Sequence, residues 1–419
     1  MSDERNVNAV ASSDASNLEQ FNYKQELNRV MGLPSVCFFG IAYIAPITIF
    51  TTYGIITQMT HGMLSLAYLV ATTAMIFTAL SYRQMVKAFP IAGSVYAYAQ
   101  RSISPYLGFL SGWAIILDYI LLPMFNYVAI GLYMSILIPS IPATVWMLIA
   151  IIIVSFTNII GINFTKIFNN TLIVIQLIFF VAVLIFTIKY VTGGNGLGTF
   201  GDFKAFFNSS EFNSPEVGIA GIFGGASILC MSFRGFDSVT TIAEETINPS
   251  KTIGRALVIV CLGAGITFIC TSYMMQSAWP EAWFSFENAD TGAFEYMVHV
   301  ISTAMGYIFS AMMVVGATAS AVAAHASATR ILFGMGRDGL LPKKFFGHVS
   351  KKTKVPVYNT ILISVVSCSC LLLDLTAAAS LINFGALLGF TMVNVSVIAH
   401  YYVRGKNRGG SSIFKYLIF

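Results

Sequence analysis

Charge is what this sequence has least of. Only 10% of its 419 residues are charged, where a soluble globular chain carries about 25%. With 56% hydrophobic residues and a mean hydropathy of +0.76, the chain has too little polar surface to cover a fold in water. Lipid is the expected outer solvent, which excludes a soluble enzyme and a nucleic-acid binder. Catalytic motifs are missing as well: there is no phosphate-cradling glycine loop, no His-Glu-x-x-His and no nucleophile elbow. The six cysteines (Cys37, Cys230, Cys261, Cys270, Cys368, Cys370) lie in apolar stretches without metal-ligand spacing. They read as small packing hydrophobes. No enzyme activity, metal or cofactor is expected. Residues 1–30 mix both charge signs and lack the basic start and apolar run of a signal peptide, so they read as a mobile polar tail.

What is present is a succession of long apolar runs. A bilayer crossing needs roughly 20 mostly apolar residues. Ten runs qualify, at about 34–57, 62–85, 104–136, 143–163, 168–191, 217–243, 254–277, 296–330, 357–374 and 379–403. An even count places both termini on one side, and basic residues mark the cytoplasmic side. With the N-terminus inside, 20 of the 23 Lys and Arg fall in the cytoplasm. Lys189 and Lys204 fall outside, and Arg234 falls within a span. The outer loops are acidic instead (Asp202, Glu211, Glu216, Glu281, Glu287, Asp290, Glu295). Two readings stand side by side: a mouth that concentrates cations, or a simple consequence of excluding basic residues.

Two spans carry breaks in corresponding places. Span one reads Gly40-Ile41-Ala42-Tyr43-Ile44-Ala45-Pro46-Ile47-Thr48, where Pro46 removes a backbone donor and clashes with the preceding turn. Span six reads Ser232-Phe233-Arg234-Gly235-Phe236-Asp237, with a glycine and two ionisable residues at membrane depth. Spans one and six each head a block of five, and an odd number of crossings inverts the second block. Broken helices at matching positions of inverted repeats are where transporters bind substrate.

A charge inside a membrane costs about 2.5–3.5 kcal/mol on insertion scales and needs a reason. Asp237, directly after the second break, suits a substrate amine or a carried proton; a structural pair with Arg234 is the alternative. Glu244 and Glu245, near the cytoplasmic end of span six, suit a gate or a proton acceptor. Alternatively they pair with Lys251 or Arg255 as an interfacial cap. Asp118 and Tyr119 sit midway along span three, and the tyrosine ring and hydroxyl suit an amine. His325 follows the small-residue run Gly316–Ala324 and reads as a buried, satisfied histidine, with a proton relay as the alternative.

These motifs resemble the amino acid–polyamine–organocation family, and within it the bacterial putrescine importers, from about residue 30 to the C-terminus. The likeness rests on the span-one and span-six segments and on Phe89-Pro90-x-Ala92-Gly93-Ser94-x-Tyr96 with Tyr98-Ala99-Gln100. Leu117-Asp118-Tyr119, Gly336-Arg337-Asp338-Gly339-Leu340-Leu341-Pro342 and Leu381-Ile382-Asn383-Phe384-Gly385-Ala386-Leu387 complete it. The resemblance implies an all-α membrane protein with a LeuT-type five-plus-five inverted-repeat core and broken helices one and six. The expected organisation is a cytoplasmic tail (1–30), a first repeat (31–191), an extracellular loop (192–216), a second repeat (217–403) and a cytoplasmic C-terminal stub (404–419). It implies a substrate site of Ala45, Pro46, Ile47, Thr48, Tyr119, Phe233, Gly235, Phe236 and Asp237, with Asp237, Glu244 or Glu245 coupling or gating. Proton coupling is implied too; Gln176 stands where some relatives place a coupling lysine on helix five. Arg234 departs from the family, which has a small or apolar residue there, and members normally carry twelve spans where ten are counted here.

The expected function is proton-coupled import of a small amine such as putrescine across a cell (inner) membrane. An amino-acid permease or exchanger of the same fold is the first alternative. A non-transporting membrane sensor is the second.

Overall fold

The computed structural model describes residues 29–44, 47–91, 94–287, 289, 292–372 and 375–405, with the side chains of 136, 162–163 and 375–384 excepted. Ala45, Pro46, Ala92, Gly93 and nearly all of the two terminal segments, 1–28 and 406–419, lie outside the described residues. So do the side chains of Leu381–Phe384. Among the described residues every regular element is helical, and one isolated β-bridge joins Met31 to Thr246.

The principal helices are α1 (Leu33–Ile44), α2 (Thr48–Met59), α3 (Leu64–Ala88), α4 (Ser94–Ser102), α5 (Pro105–Leu137), α6 (Ala143–Ile160) and α7 (Ile162–Thr192). They continue with α8 (Gly218–Leu229), α9 (Pro249–Ala278), α10 (Thr303–Arg337), α11 (Val357–Ser367) and α12 (Leu375–Val397). Among the described residues eight helical segments are long and apolar enough to cross a bilayer, and the bent pair α1–α2, whose axes meet at 45°, makes a ninth if it is one span. With its 3₁₀ continuation, α11 reaches only Leu372 and is shorter than these.

Start and stop signals place the ends. Ser104 accepts from Leu107 N ahead of Pro105, giving α5 a capped start with proline in its first turn. Ser302 caps α10 in the same way. The eighth apolar run therefore divides: residues 297–301 form a π-turn, and the long helix begins only at Thr303.

α9 packs along α3, and α10 and α12 pack along α5. α1 lies at the centre, touching α7, α9 and α10. The outer faces expose Ile152, Phe156, Ile178, Ile266 and Val365, a pattern that fits lipid as solvent. Polar groups turn inward instead: Asp118, Gln176, Asp237, Glu244, Glu245, His325 and Arg330 are all buried.

Candidate functional site

The first break separates α1 from α2, and its freed carbonyls are taken by side chains. Thr48 Oγ1 donates to the Ile44 carbonyl at 2.7 Å. Ser320 Oγ of α10 donates to the Tyr43 carbonyl at 2.8 Å and itself accepts from Asn126 Nδ2 of α5 at 2.9 Å. Ser320→Ala leaves both the carbonyl and the amide unpaired, at about 1–3 kcal/mol. Thermal unfolding in detergent should drop measurably, and an unchanged midpoint would show that the break does not depend on this bond. Neither Ser320 nor Asn126 carries a local motif, so sequence reasoning missed them.

The second break follows α8. The chain tightens into 3₁₀ turns at Cys230–Phe233, Phe236–Thr240 and Ala243–Glu245. Between the first two, Arg234 is extended and Gly235 is left-handed, with φ +89°. The two breaks touch here. A Cβ on Gly235 would lie 1.6 Å from Tyr43 Cδ1, so the Tyr43 ring rests on the space that glycine leaves.

Asp237 sits at this junction, 1% exposed. Its Oδ2 accepts from the Tyr119 hydroxyl of α5 at 2.7 Å and from the Tyr82 hydroxyl of α3 at 3.1 Å. Its Oδ1 has no hydrogen-bond partner among the described residues, with the Gly235 and Asp237 backbone close to the carboxylate. Tyr43 and Tyr119 meet edge to face, 5.6 Å between centroids. Phe236 packs against Tyr82 and Phe390 at 5.5 and 5.6 Å. The result is an aromatic cluster around a carboxylate with one unpaired oxygen, a fit for an ammonium group. Tyr82 escapes a reading of the sequence; nothing local distinguishes it from other membrane tyrosines.

Phe233 is turned to the far side, edge-on to Phe268 of α9 at 5.5 Å. Arg234 makes no ion pair with Asp237; its Nε donates to the Met231 carbonyl at 3.1 Å. Ile47 is buried beside Gly316 of α10, where Gln176 also lies, and neither amide atom of Gln176 has a partner.

Glu244 and Glu245 lie farther along the same segment. Seven residues at about 2.0 Å rise put them roughly 14 Å beyond Asp237. Both are fully buried in forked ion pairs to α10. Arg330 Nη2 reaches Glu245 Oε1 at 2.9 Å, and Arg337 reaches both oxygens of Glu244 at 2.9 Å. Tyr96 donates to Asp338 beside this clamp, so motifs that come after spans two and eight converge on the end of span six. The segment before α1 joins them: Val30 N and Met31 N both donate to the Glu245 carbonyl.

His325 is satisfied. A carbonyl only accepts, so Nε2 carries the proton donated to Thr360 O at 3.1 Å, and Nδ1 accepts from Tyr127 at 3.3 Å. Among the described residues no group of three His, Cys, Asp or Glu is arranged to hold a metal.

This architecture of two touching helix breaks around a buried carboxylate has a family match, since the amino acid permease sequence model fits residues 35–413. The chain belongs to the amino acid permease family. It is thus a multi-pass membrane transporter and not an enzyme. The permease is 37% identical over 398 residues to the low-affinity putrescine importer PlaP of Escherichia coli (strain K12), covering 94% of this chain and 85% of that protein. It is 25% identical over 401 residues to the branched-chain amino acid permease BcaP of Bacillus subtilis (strain 168), covering 90% of this chain and 81% of the relative. Among solved structures it resembles Mhp1, a nucleobase-cation-symport-1 family transporter in a closed conformation, with TM-score 0.55 and 14% identity over 93% of this chain and 83% of that one. That likeness concerns the fold alone, which is of the LeuT type.

Proposed function

We propose that this permease imports a small organic amine, putrescine or an amino acid, by coupling its uptake to protons. The observation that carries the reading is the bare Oδ1 of Asp237 between the two breaks, with its other oxygen held by two tyrosines. A substrate ammonium supplies the missing donor and the countercharge in one contact. The similarity to a putrescine importer supports a polyamine. Arg234 favours the second reading, an amino acid, because a fixed cation beside the site suits a carboxylate.

In this reading the chain crosses the membrane ten times as two inverted blocks of five, with α1–α2 as one span and α11 with its 3₁₀ continuation as another. Both termini are cytoplasmic, in a cell (inner) membrane. Ile47, Thr48, Tyr119, Gly235, Phe236 and Asp237 line or shape the site, with Ala45 and Pro46 assigned to it from the sequence and Phe233 packed against Phe268. Glu244 and Glu245, clamped by Arg337 and Arg330, close the cytoplasmic side, and Asp237 or a glutamate of this pair carries the coupling proton.

The test is uptake of radiolabelled putrescine into proteoliposomes, with and without an inward proton gradient and with unlabelled amino acids as competitors. Gradient-driven uptake of putrescine or of a competing amino acid is the expected result. Specific binding without flux of either would overturn the proposal in favour of a sensor.

A further inference from the structure

The groups around Tyr43 hold more unfilled hydrogen-bonding capacity than one ammonium group uses. Asp237 Oδ1, Asp118 Oδ1, the Tyr43 hydroxyl and Arg234 Nη1 are all buried and all without a partner. Asp118, one residue before Tyr119 on α5, is 1% exposed. The groups are neighbours: Arg234 precedes Gly235, on which the Tyr43 ring rests, and Asp118 precedes Tyr119, which meets Tyr43 at 5.6 Å and donates to Asp237 at 2.7 Å. Arg234 is anchored through Nε to the Met231 carbonyl, in the turn that leads into Gly235. An unpaired buried polar group costs about 1–3 kcal/mol, so a site that keeps several together is built to have them filled.

Their signs specify what fills them. Two carboxylates call for cationic donors, and one guanidinium calls for an anionic acceptor. Two carboxylates and one guanidinium have a formal charge of −1 together. A diamine supplies both cations but nothing for Arg234, and sets its second charge beside a guanidinium. A neutral amino acid serves Asp237 and Arg234 and leaves Asp118 bare. A diamino acid has two ammonium groups, one carboxylate and net charge +1, and it satisfies all three.

We infer that Asp118 and Arg234 are specificity-determining residues that select a diamino carboxylic acid of the ornithine or lysine type. Its α-ammonium sits on Asp237, its carboxylate on Arg234 and its distal ammonium on Asp118. The inference rests on the proposed role of Asp237 as the amine site.

Ornithine is putrescine with one added carboxylate, so the pair isolates Arg234. Half-saturating concentrations for radiolabelled ornithine and putrescine are measured with the full chain in proteoliposomes, alongside norvaline, which lacks the distal ammonium. The wild-type protein is expected to prefer ornithine to putrescine by about tenfold or more, the scale of one charge-assisted contact. Arg234→Gln should weaken ornithine by a similar factor and spare putrescine. Asp118→Asn should weaken both while leaving norvaline unchanged. Thermal unfolding of each variant checks that it is folded. Putrescine uptake that ornithine does not inhibit overturns the inference and leaves the amine site standing. Equal losses for ornithine and putrescine in Arg234→Gln overturn it as well. So does an Asp118→Asn protein that keeps its selectivity but no longer responds to a proton gradient, because Asp118 then serves coupling. Wild-type protein that takes up no amine and no amino acid removes the Asp237 reading together with this inference.

Discussion

Asp237→Asn should lower uptake by about one to two orders of magnitude while the protein remains folded. The substitution keeps the shape of the side chain, and an amide oxygen still accepts from the Tyr119 and Tyr82 hydroxyls that hold Oδ2 at 2.7 and 3.1 Å. What disappears is the negative charge on an oxygen with no protein partner. A hydrogen bond to a charged group contributes about 1.5–3 kcal/mol, which is about 10- to 150-fold in affinity. No cation among the described residues pairs with this carboxylate, so removing the charge should not lower stability; burying it unpaired is itself costly. Substrate should also stop raising the unfolding temperature of the variant, since ligand stabilisation follows affinity. Tyr119→Phe, which removes the shorter of the two tyrosine bonds, should cost less than the charge. Wild-type uptake by Asp237→Asn would end the assignment of Asp237 as the amine site, and a large drop in unfolding temperature would make its role structural.

Gly235→Ala should abolish uptake and destabilise the protein. A methyl group at this position meets Tyr43 Cδ1 at 1.6 Å, Cε1 at 2.3 Å and Cγ at 2.5 Å. The backbone φ of +89° adds a penalty of about 1–2 kcal/mol for an L side chain, and overpacking a close-packed interior adds about 1–3 kcal/mol. The ring has nowhere to yield. Tyr43 is buried, stands against Tyr119 at 5.6 Å and belongs to the last turn of α1, so moving it opens the junction between the breaks. The double variant Tyr43→Ala with Gly235→Ala separates the two costs. It should recover the packing part of the stability, because the clashing ring is gone, yet stay inactive without that ring. Interacting neighbours give such non-additive cycles. A Gly235→Ala protein with normal stability and transport would show that the two breaks are not held together by this contact.

Much of the fold was legible because its signals are local. Apolar run length located the crossing helices, while the caps Ser104 and Ser302 that begin α5 and α10 were read only from the structure. Pro46 and Gly235 advertised the breaks, since each acts on the backbone within one turn. The division of the eighth run at Ser302 was missed because apolar composition resumes directly after Ser302-Thr303.

The site was legible only in part. Asp237 and Tyr119 stood out, the one by its charge at membrane depth and the other by its neighbour and the family motif, and the structure brings them together at 2.7 Å. Phe233 shares the motif but packs against Phe268 of α9, while Phe236, after the left-handed Gly235, packs against Tyr82 and Phe390. Glu244 and Glu245 were visible as buried acids. Their partners were not, because Arg330 and Arg337 lie 85 and 93 residues away.

The sequence by itself determined that the chain lives in lipid, that it is helical, where its helices break and which acidic groups those breaks expose. These properties come from composition and from interactions within one or two turns, which the chain specifies wherever it folds. Only the tertiary structure decided that Tyr43 of one break covers Gly235 of the other, that Tyr82 and Tyr119 share one oxygen of Asp237 and that Ser320 satisfies the carbonyl at the first break. It also left one atom each of Asp118, Asp237 and Arg234 unpaired near one ring. Which buried groups find partners depends on helices far apart in sequence meeting at close-packed distances, and no local pattern records that.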